Sequence, residues 1–134
     1  MTFMNQKHIP SLELCQELDR LCKENNITLP ETEFYWKVGK ASGHANLTTD
    51  KPDLENWTKT DNGFNWYHAP LVSEQGEWLK KTDWGVPYTS ADWNMWEVRA
   101  PHHSGKQYIH GDTEANARQK QINSLIEKRI ITKL

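Results

Sequence analysis

Three imidazoles and a carboxylate, His102, His103, His110 and Asp112, lie close together near the end of this 134-residue chain. Such groups build zinc sites and perform general acid–base catalysis near neutral pH. Their spacing matches no His-x-x-x-His, His-Glu-x-x-His or His-x-Glu with Cys-x-x-Cys pattern, and adjacent histidines in a turn or strand point in opposite directions. Exposed hairpin histidines account for the same residues. Gly39-Lys40-Ala41-Ser42-Gly43 offers glycines and a lysine to a phosphate, but lacks P-loop spacing and a following helix. Ser73 and Ser104 stand outside any nucleophile-elbow context. A metal-dependent phosphodiester hydrolase built on the histidines is thus the lesser alternative. No motif calls for a cofactor, and the balance leans away from an enzyme.

Binding chemistry is better represented. The chain holds seven tryptophans, at positions 36, 57, 66, 78, 84, 93 and 96. Indoles bury large apolar areas, still need a partner for their N–H, and offer flat faces to a base or a cation. Lys37, Lys40, Arg99 and Lys106 flank them. The candidate ligand-binding set is Trp36, Lys37, Trp57, Trp66, Trp93, Trp96, Arg99, His103 and Lys106. Rings with a few cations suit a nucleotide, a phosphorylated metabolite or the hot-spot residues of a partner protein. An aromatic core beneath a small sheet would claim several of the same rings.

The elements that must position these residues follow from spacing. Pro10-Ser11 opens a helix in which Leu14, Cys15, Leu18, Leu21 and Cys22 form one apolar stripe, and Asn25-Asn26 stop it. Cys15 and Cys22 are then roughly 10 Å apart, too far for a disulfide, and read as buried thiols. Glu33 to Val38 has strand composition and is expected to pair with Phe64-Asn65-Trp66-Tyr67. A polar stretch from 41 to 63 separates them; its length suits a lid or binding loop, or a surface insertion. Pro70 to Leu79 reads as a helix that packs onto the sheet through Trp78. Residues 93–99 and 106–110 read as a hairpin, with Trp93 and Trp96 on opposite faces. Asp112 or Thr113 caps a last helix with Ala115, Arg118 or Gln119, Ile122, Leu125 and Ile126 inside, and Ile130-Ile131 suggests a short closing strand. The expected fold is a single α+β domain, residues 1–134: a small antiparallel sheet of about four strands with three helices on one face.

Bulk properties exclude more than they assign. A formal charge of −2 gives no strong nucleic-acid signal. No stretch approaches the apolar length of a membrane span, and the first residues lack the order of a secretory signal. The expectation is a cytoplasmic chain without a membrane partner. Ile9-Pro10-Ser11-Leu12-Glu13-Leu14-Cys15, the aromatic run Phe34-Tyr35-Trp36, Ala69-Pro70, Asp112-Thr113-Glu114-Ala115 and Ile130-Ile131 span nearly the whole chain. Together they resemble a family of small uncharacterised phage and prophage proteins. That resemblance implies expression in a bacterial host cell and carries no catalytic signature. The resulting expectation is a phage accessory protein that binds a small molecule, with a nucleotide-derived immune signal as the sharper version and a homo-oligomeric pocket as its setting. The alternative is a protein-interaction inhibitor of a host enzyme.

Overall fold

The computed structural model describes residues 8–49, 63–80, 89–92, 95–99 and 108–134; for 89–92, 95–99 and 108 this means the backbone, together with the Trp96 side chain. The α+β expectation holds, with three helices: α1 (Leu12–Glu24), α2 (Val72–Lys80) and α3 (Glu114–Glu127). The strands are β1 (Phe34–Gly39), β2 (Ala45–Thr48), β3 (Phe64–Ala69), β4 (Thr89–Asp92), β5 (Met95–Arg99) and β6 (Tyr108–Gly111). They form two antiparallel three-stranded sheets, β2-β1-β3 and β4-β5-β6, rather than one sheet of about four. Among the described residues no helix is long and apolar enough to cross a membrane.

Helix ends follow their capping chemistry. Ser11 Oγ accepts the Leu14 amide at 3.4 Å, and Thr113 Oγ1 accepts that of Asn116 at 3.1 Å. Of the two candidate caps, Thr113 is the one used. Both α1 and α3 close in the same left-handed turn: Asn26 has φ 57° and Arg129 φ 62°. Ile27 and Ile130 then donate back to the Cys22 and Leu125 carbonyls, each at 2.8 Å. This turn replaces the short strand expected at Ile130-Ile131. The Ile131 amide also bonds to Leu125, and its side chain is buried.

The main core lies between the helices. Leu18, Leu21, Cys22, Trp78, Leu79, Ile122, Leu125 and Ile126 interlock there, with Ile27 and Ile131 beneath the helix ends. Trp78 thus packs helix on helix, not helix on sheet. Through this core runs a polar row of which periodicity offers only Gln119, as an alternative to Arg118. Gln75 Nε2 donates to Gln119 Oε1 at 3.0 Å and Gln119 Nε2 to Asn123 Oδ1 at 2.9 Å. Asn123 Nδ2 in turn reaches the Leu14 carbonyl at 3.2 Å and Glu17 Oε1 at 2.9 Å. Such buried amides persist because each bonds to another, and the chain of bonds fixes the register of the three helices.

The segment before α1 joins everything else. His8 O accepts from Val72 of α2 at 3.1 Å, Pro10 O from the Trp36 indole of β1 at 3.1 Å, and the Ser11 amide donates to Asn116 Oδ1 of α3 at 2.8 Å. Around it Ile9, Cys15 and Ala69 pack against Phe34, Trp36, Leu47, Tyr67 and Leu71. Leu47 belongs to β2, a strand inside the stretch expected to be a loop. Ala-Asn-Leu-Thr carries one large apolar residue and so no alternation to detect; its pairing with β1, Trp36 opposite Leu47, is supplied by the tertiary fold. The backbone of β4 was missed for a similar reason, Thr-Ser-Ala-Asp having the composition of a turn.

Helix α3 lies against α1 and α2 on one side and β5 and β6 on the other. The closest approach is at Gly111, where an added Cβ would stand 2.5 Å from the Ala117 nitrogen and 2.9 Å from its Cα. Gly111→Ala therefore forces strand and helix apart, with an expected loss of about 1–3 kcal/mol in urea denaturation. Gly63→Ala, whose Cβ would meet nothing within 4 Å, should stay within about 0.5 kcal/mol of the parent.

Candidate binding site

Strand alternation divides the first sheet into two unlike faces. Phe34 and Trp36 of β1 and Tyr67 and Ala69 of β3 turn toward the Ile9–Cys15 cluster. The other face carries Tyr35 and Lys37 of β1, Asn46 and Thr48 of β2, and Phe64, Trp66 and His68 of β3. Register places Tyr35 between Thr48 and His68, Lys37 between Asn46 and Trp66, and Gly39 opposite Phe64.

This face runs from a closed end to an open one. At the closed end Tyr35 is buried, its hydroxyl oxygen accepting the Thr32 amide at 3.5 Å. Its ring meets His68 at 5.0 Å between centroids, tilted by 56°. Burial holds the His68 imidazole below its ordinary pKa, an effect that the negative charge of Asp19 partly offsets. At the open end the Lys37 ammonium sits over two rings, 4.2 Å from the centroid of Phe64 and 5.0 Å from that of Trp66. Phe64 is 41% exposed, the one large hydrophobic side chain among the described residues that stands so far into solvent. Among the described residues Lys37 makes no ion pair. A lysine held on ring faces without a carboxylate keeps its full charge available to an anion, at a cost of about 0.5–1 kcal/mol of cation–π attraction if it leaves.

Of the candidate set, Lys37 and Trp66 are thus brought together, and Phe64 joins them. Phe64 lies two residues from Trp66 on one strand, a spacing that identifies it once the strand is recognised. Trp36 faces the other way, where its indole is bonded to Pro10 and its ring packs in the apolar cluster. Trp96 lies in the second sheet, opposite Gly111, and so on the side that α3 covers; it is half-buried. Arg99 is paired with Tyr108 in that sheet through its backbone. Trp57, Trp93, His103 and Lys106 lie outside the described residues, as does His102.

His110 is exposed on β6 and its carbonyl accepts Lys120 Nζ at 2.8 Å, while Asp112 bonds to Asn116 beside the α3 cap. No group of three His, Cys, Asp or Glu able to hold a metal occurs among the described residues. The Gly39–Gly43 segment is the hairpin turn joining β1 to β2. Three of its amides are bonded to backbone carbonyls: Gly39 N to His44 O at 2.9 Å, Gly43 N to Gly39 O at 2.9 Å and Lys40 N to Gly63 O at 2.8 Å. Cys15 and Cys22 are free and buried. Desolvation raises both thiols, Cys22 to about 12 with Asp19 adding to the effect, so neither is a reactive thiolate at neutral pH. A groove of about 320 Å³ between the ends of α1 and α3, lined by Glu24, Asn25, Asn26, Arg129, Ile131 and Thr132, contains no aromatic ring.

In comparisons with known proteins, no family model, no curated protein and no solved structure matches the chain.

His68 supplies a pH signature for this face. Its folded pKa lies below the unfolded value of about 6.5, so the unfolded chain binds the extra proton more readily. Its contribution is therefore fully present above about pH 6.5 and declines as pH falls below that value. Denaturation at pH 7.5 and 5.5 should show lower stability at 5.5, and His68→Gln should flatten that difference. Equal slopes in the two proteins would refute the assignment.

Proposed function

We propose that the chain is a non-catalytic binding protein whose site is the open end of the first sheet, with Lys37, Phe64 and Trp66 as its described members. The ligand class that suits them is a planar heterocycle carrying phosphate: Phe64 and Trp66 supply stacking faces and Lys37 the cation. The observation that carries this reading is the Lys37 ammonium poised over both rings beside an exposed phenylalanine. In the setting implied by the phage-like sequence features, such a protein would sequester a nucleotide-derived immune signal in the host cytoplasm.

A second reading draws on Phe64 alone. An exposed phenylalanine beside a lysine also suits the aromatic anchor of an interface with a host enzyme. The two readings separate experimentally. Equilibrium dialysis with AMP and with a cyclic dinucleotide should show saturable binding of at least one, weakened by Trp66→Ala about fivefold or more, since stacking of one base contributes ~1–3 kcal/mol. Absence of nucleotide binding, with one stoichiometric host protein retained through Phe64, would replace the first reading with the second.

A further inference from the structure

The position of Lys37 has a consequence for selectivity, one that rests on the nucleotide-type site just proposed. At 4.2 Å from the Phe64 centroid the ammonium is in contact with the ring face. A stacked base needs roughly 3.5 Å of clearance on each side, so base and ammonium cannot share that face. The same ammonium lies 5.0 Å from the Trp66 ring, and one side chain therefore covers the near face of both rings in the free protein. It has no ion pair among the described residues to hold it elsewhere. Backbone geometry does not oppose its departure: Lys37 sits mid-strand opposite Asn46 and Trp66, on a flexible four-carbon stem.

We propose that Lys37 is a self-supplied cover of the aromatic site, removed by the phosphate of the incoming ligand. An anion close to the sheet draws the ammonium off the rings into a charge-assisted hydrogen bond. The faces it leaves then take the base. A nucleoside without phosphate must displace the cation with nothing to receive it. Inorganic phosphate alone can recruit the cation but gains no stacking in return. The site is thereby selective for ligands that carry both groups on one molecule, and Lys37 determines that selectivity with opposite signs for the two partial ligands.

The test measures adenosine, inorganic phosphate and AMP binding by calorimetry to the parent protein and to Lys37→Met, with Lys37→Gln as a second uncharged variant. Denaturation midpoints establish that each variant is folded. Removing the ammonium should weaken AMP several-fold and tighten adenosine by about two- to fivefold, the factor that a surface cation–π contact represents. A methionine or glutamine variant that binds adenosine no better than the parent, or worse, overturns the inference. If AMP binds and Trp66→Ala weakens it while adenosine gains nothing, the cover is wrong and the site stands. If AMP fails to bind the parent at all, both fall together.

Discussion

The bond from the Trp36 indole to the Pro10 carbonyl sets what the first sheet can present to solvent. A strand has a side-chain period of two, so fixing one residue inward fixes its neighbours outward. With Trp36 held against Ile9, Cys15 and Ala69, Lys37 and Tyr35 have only the opposite face. Register with β3 then brings Phe64, Trp66 and His68 to that face as well. A slip by one residue would bury the lysine and expose the indole. The net worth of one such hydrogen bond is about 1 kcal/mol, but its geometric effect extends over all three strands.

The Pro10 carbonyl is itself held in place by what surrounds it. Neighbouring backbone groups of the same segment bond to α2 and α3, and Glu74 ties the start of α2 to both Leu71 and Glu33. The buried row from Gln75 through Gln119 to Asn123 keeps the three helices in one register. An apolar core of equal volume would pack as tightly but would tolerate sliding of one helix along another. The amides resist it, because a shift breaks the bonds they make to one another. The open face of the first sheet is thus tied, through the Pro10 segment, to the helical core.

Much of the scaffold was legible in the residue order. Ser11, Thr113 and Asn25-Asn26 marked helix ends because capping is local chemistry, and the Leu18–Leu21–Cys22 stripe announced its burial by period alone. The pairing of β1 with β3 followed from two aromatic runs. What escaped was non-local. Leu47 makes a strand only because Trp36 lies opposite it, and Gln75 and Asn123 are inside because they meet Gln119, which helical period offers only as an alternative to Arg118. Trp36 was grouped with Lys37 and Trp66 as a binding residue on the strength of its type. Alternation along Phe34-Tyr35-Trp36-Lys37 already separates the two neighbours, yet which of them faces the core depended on Pro10, twenty-six positions earlier. Phe64 went unremarked as a site residue because exposure is a property of the assembled sheet.

In the function proposed above, Lys37, Phe64 and Trp66 respond to ligand as one unit at the open end of that sheet, while Trp36 and Trp78 are structural. Proton NMR addresses this directly, since ring currents report which protons lie over a ring face and each indole N–H gives its own signal. In the free protein the Lys37 ε-protons should be shifted upfield by Phe64 and Trp66. Titration with AMP should move them back toward ordinary lysine values and displace the Trp66 indole signal, leaving those of Trp36 and Trp78 unchanged. Unshifted Lys37 protons in the free protein, or AMP-dependent changes centred on Trp36 or Trp78, would contradict the account.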